Sequence, residues 1–204
     1  MAYPTIPGLA RLAEMAGDLK GVRRQGWVDR GVPRAESVAD HSYRLALLAW
    51  AVARARGLDA GRAALIALVH DLAEAEIGDE TPFDEALRGP KAGPVDPALF
   101  ERLPAPDPAR KAAKHARERA TIEALARVLG APVGEELRAA WAEYDARATA
   151  EARLVKELDR VETLLQAESY AARQPGLPIG SFRAELETAA LDPDLAALVP
   201  DENP

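Results

Sequence analysis

The chain contains no cysteine, which excludes disulfides, thiolate nucleophiles and thiolate metal sites together. Any metal bound here has only His, Asp and Glu to hold it, and there are three histidines. Such a donor set suits a hard or borderline cation. Aromatic residues make up 5% of the chain, so a core must be built chiefly from Ala, Leu and Val, which favours closely packed helices. A basic surplus is also missing. The formal net charge of -7 argues against a duplex-binding surface, where phosphate contacts dominate affinity, but it leaves room for a small phosphorylated ligand in one local positive pocket. The longest purely apolar run, Leu45 to Ala53, is too short to span a bilayer. No basic segment followed by an apolar run opens the chain, so no secretory signal is expected and a cytoplasmic protein is inferred.

What is present is an ordinary globular composition, 48% hydrophobic and 29% charged over 204 residues. That length predicts one domain over 1–204 and buries about 70% of the unfolded surface in a single core. The periodicity predicts an all-α bundle with a core from about 9 to 173 and a C-terminal cover over 174–204. Helices are expected over 9–20, from Ser37 to about Arg56, and from Asp59 through Asp79. Further helices are expected over 109–129, 134–147, 149–173 and 181–190. Ser37 and Asp40 have the spacing of a capping box, with Asp in place of the usual Glu or Gln. Pro82 to Pro108 is the most proline-dense stretch and reads as a long loop with one helical turn near Phe83 to Leu87, lying over the site or a partner subunit.

The stretch Leu65 to Asp79 sets a His-Asp pair into an otherwise apolar helix. On a 3.6-residue period, Ile66, His70, Ala73 and Ile77 share one stripe, so His70 points inward. Glu74 lies three residues past Asp71 and four past His70, which gathers an imidazole and two carboxylates. A divalent cation would supply the counter-charge that such burial needs. A satisfied core histidine beside a helix-surface carboxylate has the same appearance, so other residues must decide. His41 is a second histidine on an apolar stripe, near the start of the preceding helix, and a short connection at Gly57 makes the two helices antiparallel neighbours. Asp159 stands at the edge of the stripe Leu154, Leu158, Val161 and Leu165, though periodicity does not select it over Glu157 or Glu162.

Taken together, His41, His70-Asp71 and Asp159 resemble the H…HD…D signature of the HD-domain phosphohydrolases. The segments Gly26-Trp27, Arg34 to Ser42, Val69 to Glu74 and Gly78-Asp79 are similar to the branch containing the 5′-deoxynucleotidases, and the likeness runs from about Leu19 to Tyr170. The resemblance implies an all-α HD bundle, a homodimer, and hydrolysis of the 5′-phosphate of deoxyribonucleoside monophosphates. It implies dependence on a divalent cation such as Co²⁺ or Mn²⁺ held by His41, His70, Asp71 and Asp159. Glu74 and Asp79 would be the catalytic carboxylates beside it, assigned in some relatives to a second cation such as Mg²⁺. Trp27 would pack on sugar or base.

One departure bears on the substrate. The bacterial deoxynucleotidases carry Arg directly before the Trp, where this chain has Gly26. Arg24 is the nearest equivalent, and the phosphate contact stays open among Arg23, Arg24 and Arg30. HD proteins also include cyclic-nucleotide phosphodiesterases, triphosphohydrolases and (p)ppGpp hydrolases, and a non-catalytic dimer with a structural metal is a further reading. His115, among Lys111, Lys114, Arg117 and Arg119, reads as a surface or dimer-contact residue.

Overall fold

The computed structural model describes residues 4–90, 92–105, 107–189 and 191–199. The helices in chain order are α1 Ile6–Asp18, α2 Gln25–Asp29, α3 Val38–Ala55, α4 Ala60–Val69, α5 Glu74–Ile77 and α6 Asp84–Arg88. A 3₁₀ turn at Pro97–Glu101 follows, then α7 Pro108–Leu129, α8 Val133–Ala146, α9 Ala150–Ala171, α10 Gly180–Thr188 and α11 Pro193–Ala196. The all-α expectation is borne out: among the described residues the sole extended pairing is an isolated bridge between Arg23 and Ser37. None of the helices in these residues is long and apolar enough to cross a membrane.

Backbone contacts divide the chain into two compact units, which its single run of sequence enters more than once. The first comprises the described residues of 4–24, 36–79 and 107–156. Its helices begin where polar side chains satisfy free N–H groups. Thr5 Oγ1 accepts from Gly8 N at 3.0 Å, and Asp59 Oδ1 accepts from Arg62 N at 2.9 Å. At the start of α3 the capping box is complete in both directions, Ser37 N donating to Asp40 Oδ2 at 2.8 Å and Asp40 N to Ser37 Oγ at 3.1 Å. The bond from Ser37 N and a second from Ser37 Oγ, also 2.8 Å from Asp40 Oδ2, hold the Asp40 carboxyl below the usual carboxylate range. α3 packs on α4, α4 on α8, and α7 on both α1 and α8. The core at these contacts is small-residue and aliphatic, with Leu45, Ala49, Ala53, Ala63, Ile66, Ala67, Ile122 and Ala140 fully buried. Gly134 belongs to this economy, because a Cβ there would stand 2.0 Å from the Ala126 carbonyl oxygen.

The second unit comprises the described residues of 25–35, 80–105 and 157–199. Trp27, Val32, Leu164, Ala167, Tyr170, Leu177 and Ile179 form its core, with Phe182 and Leu186 packed against it. Within it the proline-dense stretch is more ordered than a loop. Thr81 Oγ1 accepts from Phe83 N at 3.2 Å and Asp96 caps the 3₁₀ turn, so the buried rings of Phe83 and Phe100 meet edge to face at 5.1 Å.

Arg30 sits at the middle of this unit, 7% exposed. Its guanidinium donates to the carbonyls of Pro178 at 2.9 Å and Gly26 at 2.8 Å and to Ser181 Oγ at 2.7 Å. It lies over the rings of Phe182 and Phe100 at 4.2 and 4.3 Å. Burial pushes its pKa down to about 10, against the pull of Asp29 and Glu101. Only a planar fork with several fixed donors serves three acceptors and two ring faces together. Replacing Arg30 by Met is therefore expected to cost about 3 kcal/mol, since two part-buried carbonyls and the buried Ser181 hydroxyl lose their donor. Arg30→Lys should recover less than half of that in a denaturant-unfolding measurement.

Candidate metal centre

The expected single helix from Asp59 to Asp79 is interrupted at the pair it was meant to carry. α4 ends at Val69 with His70 as its C-cap, and the chain then turns tightly, Leu72 N bonding to Val69 O and Glu74 N to Asp71 O. The cause is the imidazole itself. His70 Nδ1 lies 2.7 Å from the Ala67 carbonyl oxygen, which a continuing α-helix would use for its own ladder. A carbonyl can only accept, so Nδ1 carries the hydrogen and Nε2 carries the lone pair.

That lone pair faces an anion. His70 Nε2 lies 2.9 Å from Asp71 Oδ2, yet it is buried and has no hydrogen-bond partner among the described residues. Two acceptors so close require a cation or a proton between them. Two ligand atoms bound at right angles to one ion at about 2.1 Å stand about 3 Å apart, which matches the observed spacing. His41, on the first turn of α3 and fully buried, completes the cluster. Its ring centroid is 5.4 Å from that of His70, and ligand atoms of His41, His70 and Asp71 all fall within 4.8 Å of one another. The two imidazoles and one carboxylate therefore fit a divalent cation.

Around this cluster the first unit arranges further charge. Residues 22–24 run against 36–38, with Val38 N bonded to Val22 O at 2.9 Å and Arg24 N to Glu36 O at 3.0 Å. This brings Arg24 Nη1 to 3.5 Å from Asp71 Oδ2. Of the three candidate arginines, Arg24 is beside the cluster, Arg23 has an exposed side and Arg30 is committed to the core of the second unit. The short α5 is tied down through Glu76, which accepts from Thr121 Oγ1 at 3.0 Å and pairs with Arg11. It carries Glu74, 2% exposed, and ends at Gly78, whose φ of +76° turns the chain out toward Asp79. Burial drives the Glu74 carboxyl well above the usual carboxylate range, Asp71 and Asp79 push it further, and Lys114 opposes them.

Two residues of this neighbourhood escape a reading of the sequence by motif. Lys114 Nζ donates to Glu74 Oε1 at 2.9 Å. Its place on the inward stripe of α7, with Thr121, Leu125 and Leu129, was the available signal. Tyr144 lies on the inward stripe of α8 with Leu137, Ala140 and Trp141. Its ring packs 5.0 Å from His70 and its hydroxyl accepts from Lys156 Nζ at 2.8 Å.

Asp159 and Trp27 belong to the second unit and His115 to the first. Asp159 is on α9, half-buried, in the second unit. Trp27 is 1% exposed and held against Tyr170 and Phe182, with ring centroids 5.2 and 4.7 Å away. Packed in this way it anchors the core and offers no free face to a sugar or base. His115 stacks on Trp141 and stands 3.3 Å from Asp145, half-buried rather than on an open surface.

A family model described as the HD domain matches residues 16–185. The mouse 5′-deoxynucleotidase HDDC2 is 37% identical over 163 residues, covering 80% of this chain and 70% of its own. Its human counterpart is 36% identical over 162 residues, covering 79% and 68%. Among solved structures, a predicted metal-dependent phosphohydrolase from Magnetospirillum magnetotacticum superposes with a TM-score of 0.62 at 26% identity, covering 94% of this chain and 82% of that one.

The donor set makes a direct prediction. Asp71→Ala should weaken Mn²⁺ binding by at least about a hundredfold in calorimetric titration, because His70 Nε2 is left without its carboxylate partner. An Asp71→Ala protein that binds the ion as the parent does would overturn the assignment.

Proposed function

The chain belongs to the HD domain family, and on that premise we propose that it is a metal-dependent phosphohydrolase that removes the 5′-phosphate from deoxyribonucleoside 5′-monophosphates. The observation that carries this reading is the buried His41, His70 and Asp71 cluster with a second, buried carboxylate, Glu74, one turn away. The deoxynucleotidase names of the mouse and human relatives supply the substrate class. We assign His41, His70 and Asp71 as metal ligands, and Asp159 as the fourth on its match to the family pattern alone. Co²⁺ or Mn²⁺ suits these donors, and Glu74 with Asp79 suits a second, harder cation such as Mg²⁺. A divalent cation in this site supplies Lewis acidity toward a phosphoryl oxygen and a water of lowered pKa.

The remaining steps belong to side chains. Glu74 Oε2 is buried without a hydrogen-bond partner among the described residues, and there it takes the proton of the attacking water or returns it to the leaving 5′-oxygen. Asp79, whose negative charge favours the protonated form of Glu74, joins it in the second cation site. Arg24 bears the phosphate charge as it redistributes in the transition state. Trp27 contributes to sugar selection by fixing the loop that follows Arg24, since its own ring is enclosed.

We further read the protein as a cytoplasmic homodimer in which each chain forms one HD domain. An exposed stripe on α3 supports the dimer: Tyr43, Leu47 and Trp50 are 63, 50 and 54% exposed at helical spacing, an apolar face of the kind that marks an interface. Trp50→Glu is expected to shift the sedimenting mass from dimer to monomer. A parent protein that already sediments as a monomer would remove the dimer from the reading.

The decisive experiment is phosphate release from dAMP, dGMP, dTMP, dCMP and their ribose counterparts by metal-stripped protein resupplied with Co²⁺, Mn²⁺ or Mg²⁺. Metal-dependent release from the deoxy set is expected, and Glu74→Gln should keep the metal while losing about 100-fold or more in turnover. Release from both sets would retain the nucleotidase and discard the sugar preference. Silence on every monophosphate, with turnover of a cyclic or polyphosphate nucleotide, would replace the reaction.

A further inference from the structure

We propose that Lys114 is a positioning residue: its ammonium pins Oε1 of Glu74 so that Oε2 alone is presented to the reacting groups. The inference rests on the phosphohydrolase reading for its chemistry and on three observations for its geometry. The first is placement. Lys114 projects from the inward stripe of α7 and its side chain is three-quarters buried, although a lysine is rarely taken out of water without a partner. The partner is specific, with Nζ 2.9 Å from Glu74 Oε1 and a looser 3.5 Å from Glu118 Oε1 one turn along the same helix.

The second observation is that the backbone of Glu74 is already fixed. Its N–H donates to Asp71 O at 2.9 Å and its carbonyl accepts from Gly78 N at 2.9 Å. The freedom left to the residue is rotation of its side chain, and the contact with Lys114 removes it. The third is the asymmetry of the carboxylate. Oε1 is engaged, while Oε2 is buried with no hydrogen-bond partner among the described residues. A lysine suits this task better than an arginine, because a point charge can hold one oxygen where a guanidinium fork tends to take both. Glu74 thus reaches its working position from two sides: its backbone is set by the turn after His70, and its carboxylate is set by α7.

The test is a double-substitution cycle on the full chain with Lys114→Met, Glu74→Gln and both together, read in two ways. In steady-state kinetics on a deoxynucleoside monophosphate with Mn²⁺, Lys114→Met should lower kcat by about 10- to 100-fold with KM within about 2-fold. It should have no further effect in the Glu74→Gln background, since a positioning residue has nothing left to position there. In thermal unfolding, Lys114→Met should lower Tm by several degrees by leaving a buried carboxylate without its counter-ion. Adding Glu74→Gln should restore most of that loss. Factors that multiply in kcat, shifts that add in Tm, or a raised KM at unchanged kcat would each overturn the proposal. If the parent protein turns over no monophosphate while the Tm effects remain coupled, the reaction is wrong and the Lys114–Glu74 pairing stands.

Discussion

The hydrogen bond from His70 Nδ1 to the Ala67 carbonyl oxygen, 2.7 Å long, is the contact on which the rest of the site depends. It takes an acceptor from the helix ladder and so ends α4. It also fixes the tautomer that leaves Nε2 as a ligand, and it starts the tight turn that delivers Asp71 and then Glu74 to the same region. Here the backbone of the preceding turn determines which nitrogen is proton-free, so the metal-binding form is the form in which the chain folds.

Charge balance is the second constraint. Asp71 and Asp79 raise the cost of ionising Glu74 in the first unit, while Arg24 stands beside Asp71 and Lys114 beside Glu74 and Glu118. Crowded, partly buried carboxylates of this kind call for added positive charge. A bound divalent ion relieves the deficit more fully than a further lysine, because it brings two charges and no apolar stem.

Much of the architecture was legible because it follows from short-range chemistry. The capping box at Ser37, the cap at Asp59, the break at Gly130 and the inward faces of α3, α7 and α9 all depend on residues within a few positions of each other, and the helices lie close to where these signals place them. The cluster was legible because His41 and His70 sit at facing ends of adjacent antiparallel helices. What did not show was whatever depends on a side chain reaching out of its own segment. The turn at His70 arises from a ring-to-backbone bond that periodicity cannot see. Lys114 looked like one of several surface cations because the carboxylate it meets is far away in sequence. Arg30 and Trp27 have the composition of a ligand-binding loop, and only their enclosure by residues of the C-terminal segment, Pro178, Ser181 and Phe182, shows them to be a structural clamp.

The alanines that line α3 and α4 bear on the His41–His70 cluster as well as on the core. Ala49, Ala53, Ala63 and Ala67 are fully buried on two helices that pack together, and those helices carry the two imidazoles of the cluster, His41 in the first turn of α3 and His70 at the end of α4. Small side chains at these positions let the helices approach closely, and the distance between His41 and His70 is inherited from their separation. Preferred metal–oxygen distances differ by only about 0.3 to 0.5 Å between Mg²⁺ and Ca²⁺, which is less than the shift a single added methyl group imposes on a close helix contact. The seam would thus act as a calliper on a bound ion, its setting able to drift, one methyl at a time, while every ligand is kept.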